Sequence, residues 1–345
     1  RNLHLGKLDA RKRYVIIWPR SEVAHGAQQV YRERFAKFIV SDLLYAVILP
    51  LTMRYLELRT DCSLSLVDGS LLRCKRYGTA ILRQGARPYE EVWERIFEYY
   101  EVRGQTNNFI PLKICGLMSS ELVRFLGKAR KKYALIQIKT IVINATAIST
   151  DPHSYVEAIK YLMANGFSVV FAGRELMPNP YKDLGVMNYA ESEIASFRHD
   201  LELVQGAQFV LSSASGFGNL PVTMEIPLVY ANIWSFACPL PGRYTVTLPA
   251  LFRDSSGRPW SFKDQIAYFY DRKDSVSPIP STLNIRSASA LEILEATKEA
   301  VNLGQDFKPK TELQKCFQNL CETAPLAVAE SRVSQHFIEK FKSLL

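Results

Sequence analysis

Small and hydroxyl-bearing residues concentrate in one loop, which follows a predicted buried strand over residues 208–211. Backbone N–H groups beside glycine and serine hydroxyls can approach a phosphate closely, and a helix start adds partial positive charge. The order of strand, Ser/Gly loop, helical turn and second strand is therefore typical of an anion site in an α/β protein. An ordinary tight turn packed with small residues would have the same composition. The candidate ligand residues of the loop are Ser212, Ser213, Ser215, Gly216 and Gly218.

Two polar residues after other predicted strands could contact the same ligand. Arg174 follows a predicted strand that ends at Ala172, and its guanidinium could bind a phosphate through two parallel hydrogen bonds. A surface ion pair with Glu175 would explain Arg174 equally well. Asn232 ends the predicted strand that begins at Leu228. Both side chains are expected at the carboxyl ends of their strands, where open α/β sheets bind ligands.

Moving a group from a phosphate-linked donor to a hydroxyl also requires a general base. The candidates are His25, just after the first predicted strand, and Asp151, which precedes Pro152. Each has a simpler explanation: His25 could face solvent in a turn, and Asp151 could cap the helix that starts at Pro152. His153 lies in the first turn of the same helix and could face either an anion or solvent.

Other kinds of chemistry find little support in the sequence. The six cysteines are scattered without metal-ligand spacing, and only five histidines occur, so no metal site is expected. The GxSxG, GxxxxGK[ST] and strand-linked GxGxxG motifs are absent, which disfavours hydrolase, P-loop and dinucleotide functions. The sequence therefore predicts no cofactor. The cysteines suit a reducing compartment; they are Cys62, Cys74, Cys115, Cys238, Cys316 and Cys321.

The formal net charge of +9 suggests an anionic partner, or a solvated positive surface with no partner. Basic residues cluster at 7–13, 73–76 and 128–132, without the interleaved aromatic residues or motifs of nucleic-acid binding proteins. An anionic membrane face or a phosphorylated substrate is therefore favoured over nucleic acid. No apolar run reaches the roughly 20 residues that span a bilayer. The closest, residues 35–51, contains Lys37 and Asp42 and is predicted to be a core helix.

The order of predicted elements places these residues in an α/β fold. From Tyr133 onward, strands and helices alternate regularly, which argues for a parallel doubly wound sheet. Before it, a strand is predicted at 14–18 and mainly helix over 22–55, and residues 235–285 are predicted to be mostly loops with one helix. Strands are predicted at 135–144, 167–172, 208–211 and 228–232. Helices are predicted at 119–131, 152–165, 191–204, 262–269, 288–303, 311–321 and 331–345.

The length of 345 residues predicts more than one domain. We expect an N-terminal α/β domain over residues 1–130 and a Rossmann-like ligand-binding domain over residues 131–330. The last segment, residues 331–345, is predicted to be a separate C-terminal helix. Because the chain begins at Arg1, the first domain is expected to be truncated.

The second half resembles a group of bacterial GT-B glycosyltransferases associated with surface-polysaccharide gene clusters. The resemblance covers about residues 133–345, and its most specific part is the Ser/Gly loop up to Pro227. Members usually carry a His-x-Arg-Asp sequence where this chain has Ile143-Asn144-Ala145-Thr146. Other matching segments are Asp151-x-x-x-Tyr155-x-x-Ala158-Ile159-x-Tyr161-Leu162-x-x-x-Gly166, Val170 to Arg174, Tyr189-Ala190-x-Ser192, and Ser331-Arg332-Val333-Ser334-x-x-Phe337 with Leu344-Leu345.

The resemblance implies a GT-B fold with two Rossmann-like domains facing a cleft and a C-terminal helix that crosses back onto the first domain. It implies a metal-independent enzyme that transfers sugar from a nucleotide-sugar donor to a glycan or lipid-linked acceptor. Such an enzyme would be cytoplasmic, with peripheral association at the inner membrane face. The departure at residues 143–146 leaves two alternatives: a catalytically silent glycan- or partner-binding module, and another nucleotide-sugar enzyme such as an epimerase or hydrolase.

Overall fold

The structure is a computed structural model that describes residues 15–18, 37–40, 117–140, 150–233, 244–272, 284–304, 306–308, 310–322 and 331–345. The chain divides into two compact units, residues 1–115 and 116–345. In the first unit, strand β1 (Val15–Trp18) pairs in parallel with β2 (Lys37–Val40). Strand β1 confirms the prediction at 14–18. Strand β2 corrects the predicted helix (22–55 and 35–51) at residues 37–40 only, because a short apolar run fits either period and the parallel partner decides it; the rest of these ranges lies outside the described residues.

The second unit alternates strands and helices. Its strands are β3 (Tyr133–Gln137), β4 (Ser168–Phe171), β5 (Met187–Asn188), β6 (Phe209–Ser213), β7 (Leu228–Ile233), β8 (Thr245–Pro249), β9 (Leu251–Arg253), β10 (Asn284–Arg286) and β11 (Arg332–Val333). Its α-helices are α1 (Ser120–Leu126), α2 (Val156–Ala164), α3 (Asn179–Asp183), α4 (Phe197–Gly206), α5 (Asn219–Met224), α6 (Phe262–Arg272), α7 (Ala290–Asn302), α8 (Glu312–Glu322) and α9 (Gln335–Lys340). Short 3-10 turns occur at Gly127–Lys131, Pro152–Tyr155 and Lys342–Leu344.

Seven of these strands form one sheet in the order β11-β8-β7-β6-β3-β4-β5. Every neighbouring pair in it is parallel. The chain winds outward from β3 in both directions, which is the Rossmann-like doubly wound order with an added edge strand. The predicted α/β doubly wound fold is therefore confirmed for this unit. All residues of β3, β6, β7 and β8 are buried, as expected for a parallel sheet covered on both faces.

Three strands lie where the sequence predicted mostly loops. Strand β8 inserts between β7 and β11, and β9 pairs with β10 in a separate antiparallel ribbon. Prolines and glycines flank these short strands, and such residues are typical of loops, so the local signal was weak. Strand β8 forms because it pairs with β7 and β11 and is completely buried in the sheet.

The segment 331–345 was predicted to be one helix, and its first part is instead the strand β11. Gln314 Nε2 donates to the Val333 carbonyl at 2.9 Å, and Arg332 Nε lies 2.6 Å from Glu299 Oε1, so β11 is held from two helices. Helix α9 then packs on α7 and α8. The crossing of this segment onto the N-terminal domain stays a prediction. None of the helices in the described segments has the length and hydropathy needed to cross a bilayer.

Candidate functional site

The Ser/Gly loop begins at the carboxyl end of β6, next to the carboxyl end of β3. Gln137, the last residue of β3, pairs with Ser212 of β6 in the sheet register. From β3 the strand order proceeds to β4 on one side and to β6 on the other, so this junction is the point where the winding reverses. Open α/β sheets bind ligands in the crevice that forms outside such a reversal. The loop therefore lies at the sheet's topological switch point.

Three serine hydroxyls hold this junction together. Ser212 Oγ and Ser215 Oγ donate to Gln137 Oε1 at 2.8 and 2.6 Å. Ser213 Oγ accepts from the Lys139 amide at 2.8 Å. Ser212 and Ser213 are fully buried, and Gln137 is 5% exposed. These hydroxyls already have protein partners, so their evident role is to fix the loop between β3 and β6.

The phenol of Tyr230 fixes the first bend of the loop. The Tyr230 hydroxyl accepts from the Ser215 amide at 3.1 Å and donates to the Ser215 carbonyl at 3.0 Å. A methyl group added at Gly218 would lie 2.6 Å from Tyr230 Cε2 and 2.9 Å from Ser212 Oγ. Gly218 is therefore required by close packing. Its own amide donates to Ser215 Oγ at 3.2 Å.

The outer part of the loop keeps its hydrogen-bond donors free. Gly216 is exposed, and a methyl group added there would meet nothing within 4 Å. In the described part of the chain, the amides of Gly216 and Phe217 have no hydrogen-bond partner. Helix α5, which follows, has only 6 residues, so its dipole is small and the amides themselves are the relevant donors. Unpaired N–H groups at a loop tip are suited to an anion.

Two cations accompany these amides at the same edge. Arg174 follows β4 and is exposed, and Lys139 follows β3 and is half-buried. The alternative pairing of Arg174 with Glu175 does not form, because Glu175 Oε2 accepts from the Thr140 amide at 2.5 Å. Neither cation has an ion-pair partner within 4.0 Å among the described residues. Lys139 was not predicted as a ligand residue because it falls inside the strand predicted over 135–144, whereas the strand ends at Gln137.

A buried carboxylate lies within electrostatic reach of Arg174. Asp200, in the first turn of α4, is 9% exposed. Burial raises its pKa to about 6, although a hydrogen bond from Tyr189 and the charges of Arg174 and His199 favour the ionised form. No sequence pattern distinguished Asp200 from an ordinary first-turn acid. Its charge partly offsets that of Arg174 above this pH.

The other predicted ligand residue on a strand, Asn232, is committed to protein contacts. Asn232 is 2% exposed, with φ of 59° in the left-handed region that asparagine tolerates. Its Nδ2 donates to Thr150 Oγ1 at 3.2 Å, and its Oδ1 accepts from the Ala288 amide at 2.7 Å. Asn232 therefore ties the end of β7 to two loops. The buried Tyr155 hydroxyl lies close by and has no hydrogen-bond partner in the described structure.

Of the two candidate bases, only Asp151 lies in the described structure. Its carboxylate accepts from the His153 amide at 3.0 Å, so it caps the turn Pro152–Tyr155. Asp151 and His153 also line an open pocket of about 400 Å³, together with residues at the start of α7. His25 lies outside the described residues. No group of His, Cys, Asp and Glu suited to a metal ion occurs in the described ranges.

The fold defines an α/β protein of the doubly wound class, and the switch point of its sheet is a candidate anion site. No protein-family model matches the chain, and no curated protein matches it in sequence. The similar solved structures include three glycosyltransferases, which are 12–15% identical. With TM-scores of 0.28–0.40 and identities this low, the similarity carries no argument about activity.

The first is a glycosyl transferase family 9 protein from Veillonella parvula, which is 12% identical with a TM-score of 0.40, over 85% of this chain and 98% of that one. The E. coli heptosyltransferase WaaC with ADP is 14% identical with a TM-score of 0.29, over 45% of this chain and 50% of that one. The iron-containing dodecameric glycosyltransferase TibC from enterotoxigenic E. coli is 15% identical with a TM-score of 0.28, over 40% of this chain. This chain covers only 34% of TibC.

Proposed function

We propose that the protein is a glycosyltransferase that moves a sugar from a nucleotide-sugar donor to a glycan or lipid-linked acceptor of the bacterial surface. The observation that carries the proposal is the group of unpaired donors and cations at the switch point of the sheet. A nucleotide-sugar presents a diphosphate, whose oxygens accept hydrogen bonds and carry negative charge. Backbone amides, Arg174 and Lys139 match both properties.

The predicted donor-binding residues divide into two roles under this proposal. The amide of Gly216 and the guanidinium of Arg174 contact the diphosphate directly. The remaining residues position them through the contacts described above; they are Ser212, Ser213, Ser215, Gly218 and Asn232. A loop fixed in this way loses little conformational entropy when the ligand binds.

The chemistry follows from this placement. A general base, for which His25 and Asp151 are the proposed residues, takes the proton of the acceptor hydroxyl as its oxygen bonds to the sugar's anomeric carbon. The bond from that carbon to the phosphate oxygen breaks, and the nucleoside diphosphate leaves with the electron pair. Amides and cations at the switch point stabilise the charge that develops on it. No metal or cofactor is required in this scheme.

A basic surface supports a peripheral location at the inner membrane face, on the cytoplasmic side. The last turn of α1 and the turn Gly127–Lys131 carry four exposed cations, Arg124, Lys128, Arg130 and Lys131. Each cation near an anionic bilayer contributes about 1 kcal/mol of binding free energy. Binding to vesicles that contain anionic lipid, reversed by salt, tests this part of the proposal.

The first test is a thermal-shift screen with UDP-, GDP-, ADP- and CMP-linked sugars, because a ligand of the native state raises apparent stability. We expect one nucleotide class to shift the melting temperature. Arg174→Ala should then weaken that ligand about 10- to 100-fold, the range expected for a lost hydrogen bond to a charged group. Lys315→Ala is the control, because it removes the same charge from an exposed ion pair on α8.

The outcomes separate the alternatives. Release of nucleotide only when an acceptor is present supports transfer. Consumption of the donor without acceptor identifies an epimerase or hydrolase. No shift with any nucleotide-sugar contradicts the proposal and favours a silent binding module.

A further inference from the structure

Gln137 connects three parts of the candidate site. It is the last residue of β3, and its Oε1 accepts hydrogen bonds from Ser212 on β6 and from Ser215 in the loop. On the side of β4, a methyl group added at Gly173 would lie 3.0 Å from Gln137 Cγ. Gly173 also has φ of 105°, a conformation that favours glycine. The Gln137 side chain is therefore enclosed by both neighbouring strands and the loop.

These contacts fix which way the Gln137 amide faces. Ser215 Oγ accepts from the Gly218 amide at 3.2 Å, so its own proton is free to point at Gln137 Oε1. Ser212 Oγ donates to the same oxygen. The Ser212 proton is shared with the Ser213 carbonyl, which lies 3.0 Å from Oγ. This arrangement places the amide oxygen toward the serines and the nitrogen toward Gly173, where an added methyl group would lie 3.9 Å from Nε2.

The nitrogen of this amide is left without an acceptor. Gln137 is 5% exposed, and no hydrogen bond from its Nε2 occurs in the described structure. Nε2 is not among the atoms of the described structure that are both fully buried and unpaired, so this donor opens onto solvent although the rest of the side chain is enclosed. Nε2 lies at the switch point on the side of β4, next to Gly173, which precedes Arg174. An oxygen of a ligand would supply the missing acceptor.

We propose that Gln137 is a ligand-binding residue that donates from Nε2 to a phosphate oxygen of the bound diphosphate, while its Oε1 holds the loop in place. This inference rests on the proposed function only in taking the ligand to be a diphosphate. This double role accounts for a glutamine at the end of β3, because the side chain must accept hydrogen bonds through Oε1 and donate one through Nε2. The diphosphate then receives hydrogen bonds both from β3 and from the Ser/Gly loop.

The test measures binding of inorganic pyrophosphate by calorimetry at pH 8. Gln137→Glu keeps an acceptor for Ser212 and Ser215 but replaces the N–H donors with a negative oxygen. We expect pyrophosphate affinity to fall at least 10- to 100-fold in this variant. Lys315→Ala, which changes an exposed ion pair on α8, is the control that should leave binding unchanged. Ser212→Ala, which removes one loop contact and keeps the Nε2 donor, should lose less affinity than Gln137→Glu. Equal losses in Gln137→Glu and Ser212→Ala would mean that Gln137 acts only through the loop.

A pH comparison distinguishes ligand contact from general damage. Below the pKa of the introduced carboxyl group, that group is neutral and can donate from its own O–H. The affinity of Gln137→Glu relative to the unmodified protein should therefore recover as the pH falls through that pKa, whereas that of Ser212→Ala should not change. If Gln137→Glu does not fold, Gln137→Asn serves instead, because it keeps the amide but withdraws it by one methylene. That variant should lose affinity to a similar extent.

The inference and the proposed function can fail separately. Pyrophosphate binding that depends on Gln137, without turnover of any nucleotide-sugar, would retain the inference and contradict the glycosyltransferase. Absence of pyrophosphate binding, or unchanged binding in both position-137 variants, would overturn the inference whatever the activity.

Discussion

Gly218→Ala is the substitution for which the structure makes the sharpest prediction. The added methyl group would lie 2.6 Å from Tyr230 Cε2, where carbon atoms normally approach to about 3.5 Å. The Tyr230 ring is 5% exposed and its hydroxyl bonds both backbone groups of Ser215, so it cannot move without breaking those bonds. The backbone of Gly218, with φ of −59°, accepts alanine without strain. Gly218→Ala therefore tests only the steric contact of the added methyl group with its neighbours, without a change in backbone strain.

Overpacking of this kind costs about 1–3 kcal/mol of unfolding free energy. For a unit of this size, that corresponds to a fall in melting temperature of about 2–12 °C. Circular dichroism melting of the two purified proteins measures it, and calorimetry with pyrophosphate should show weaker binding by the displaced loop.

The matched control lies two residues earlier. Gly216→Ala adds the same methyl group where nothing lies within 4 Å, so its stability should change by no more than about 0.5 kcal/mol. If Gly216→Ala and Gly218→Ala melted at the same temperature, the argument that packing requires glycine at 218 would be refuted.

Three further predictions concern stability and are measured by urea unfolding. Tyr230→Phe leaves the part-buried backbone of Ser215 without its partner and should cost about 1–2 kcal/mol. The pKa of Asp200 is raised from 3.8 to about 6, so the folded state favours the protonated carboxyl group. Its contribution to the free energy of unfolding is therefore present below pH 4 and is lost as the pH rises through 6. Asp200→Asn should remove this pH dependence of stability and be more stable by up to about 3 kcal/mol at pH 7. Arg286→Ala removes a bidentate partner of the fully buried Glu292, which keeps its contact with Lys340, and should cost about 1.5–3 kcal/mol.

Each of these has an outcome that contradicts it. Unchanged stability of Tyr230→Phe would show that water replaces the hydroxyl. Parallel pH profiles for Asp200→Asn and the unmodified protein would show that the carboxylate is solvated. For Arg286→Ala the control is Lys298→Ala, whose partly exposed pair with Glu295 should contribute at most about 1 kcal/mol. Equal effects of these two variants would refute the role of burial.

The sequence predicted the parts of the fold that carry a strong local pattern. The central strands β4, β6 and β7 were placed within two residues, because continuous apolar runs between turn signals are characteristic of buried parallel strands. Helix α4 begins at Phe197 rather than near Glu191, because Ser196 caps it and Glu191 instead accepts from the Met177 amide. From the sequence, the helix could begin at either Glu191 or Ser196, and the contact of Glu191 with Met177 decides between them.

The site shows the same division between local and non-local information. Composition located the Ser/Gly loop, but it could not tell hydroxyls that face a ligand from hydroxyls that join strands. That distinction depends on Gln137, which is 75 residues from Ser212 in the chain. Gln137 and Lys139 both fall inside the strand predicted over 135–144, so neither was recognised as a residue at a strand end. Their importance arises from the strand order, which no local pattern contains.

The edge position of β11 has a consequence for how the protein is made. Strand β8 bonds β7 on one side and β11 on the other, and the Thr247–Arg332 contact joins residues 85 positions apart. While the ribosome is still synthesising the intervening helices, β8 presents an unpaired open edge, which is a template for pairing with another nascent chain. Closure of the sheet therefore waits until residue 333 has left the exit tunnel, and a chain cut short before it would be prone to aggregate.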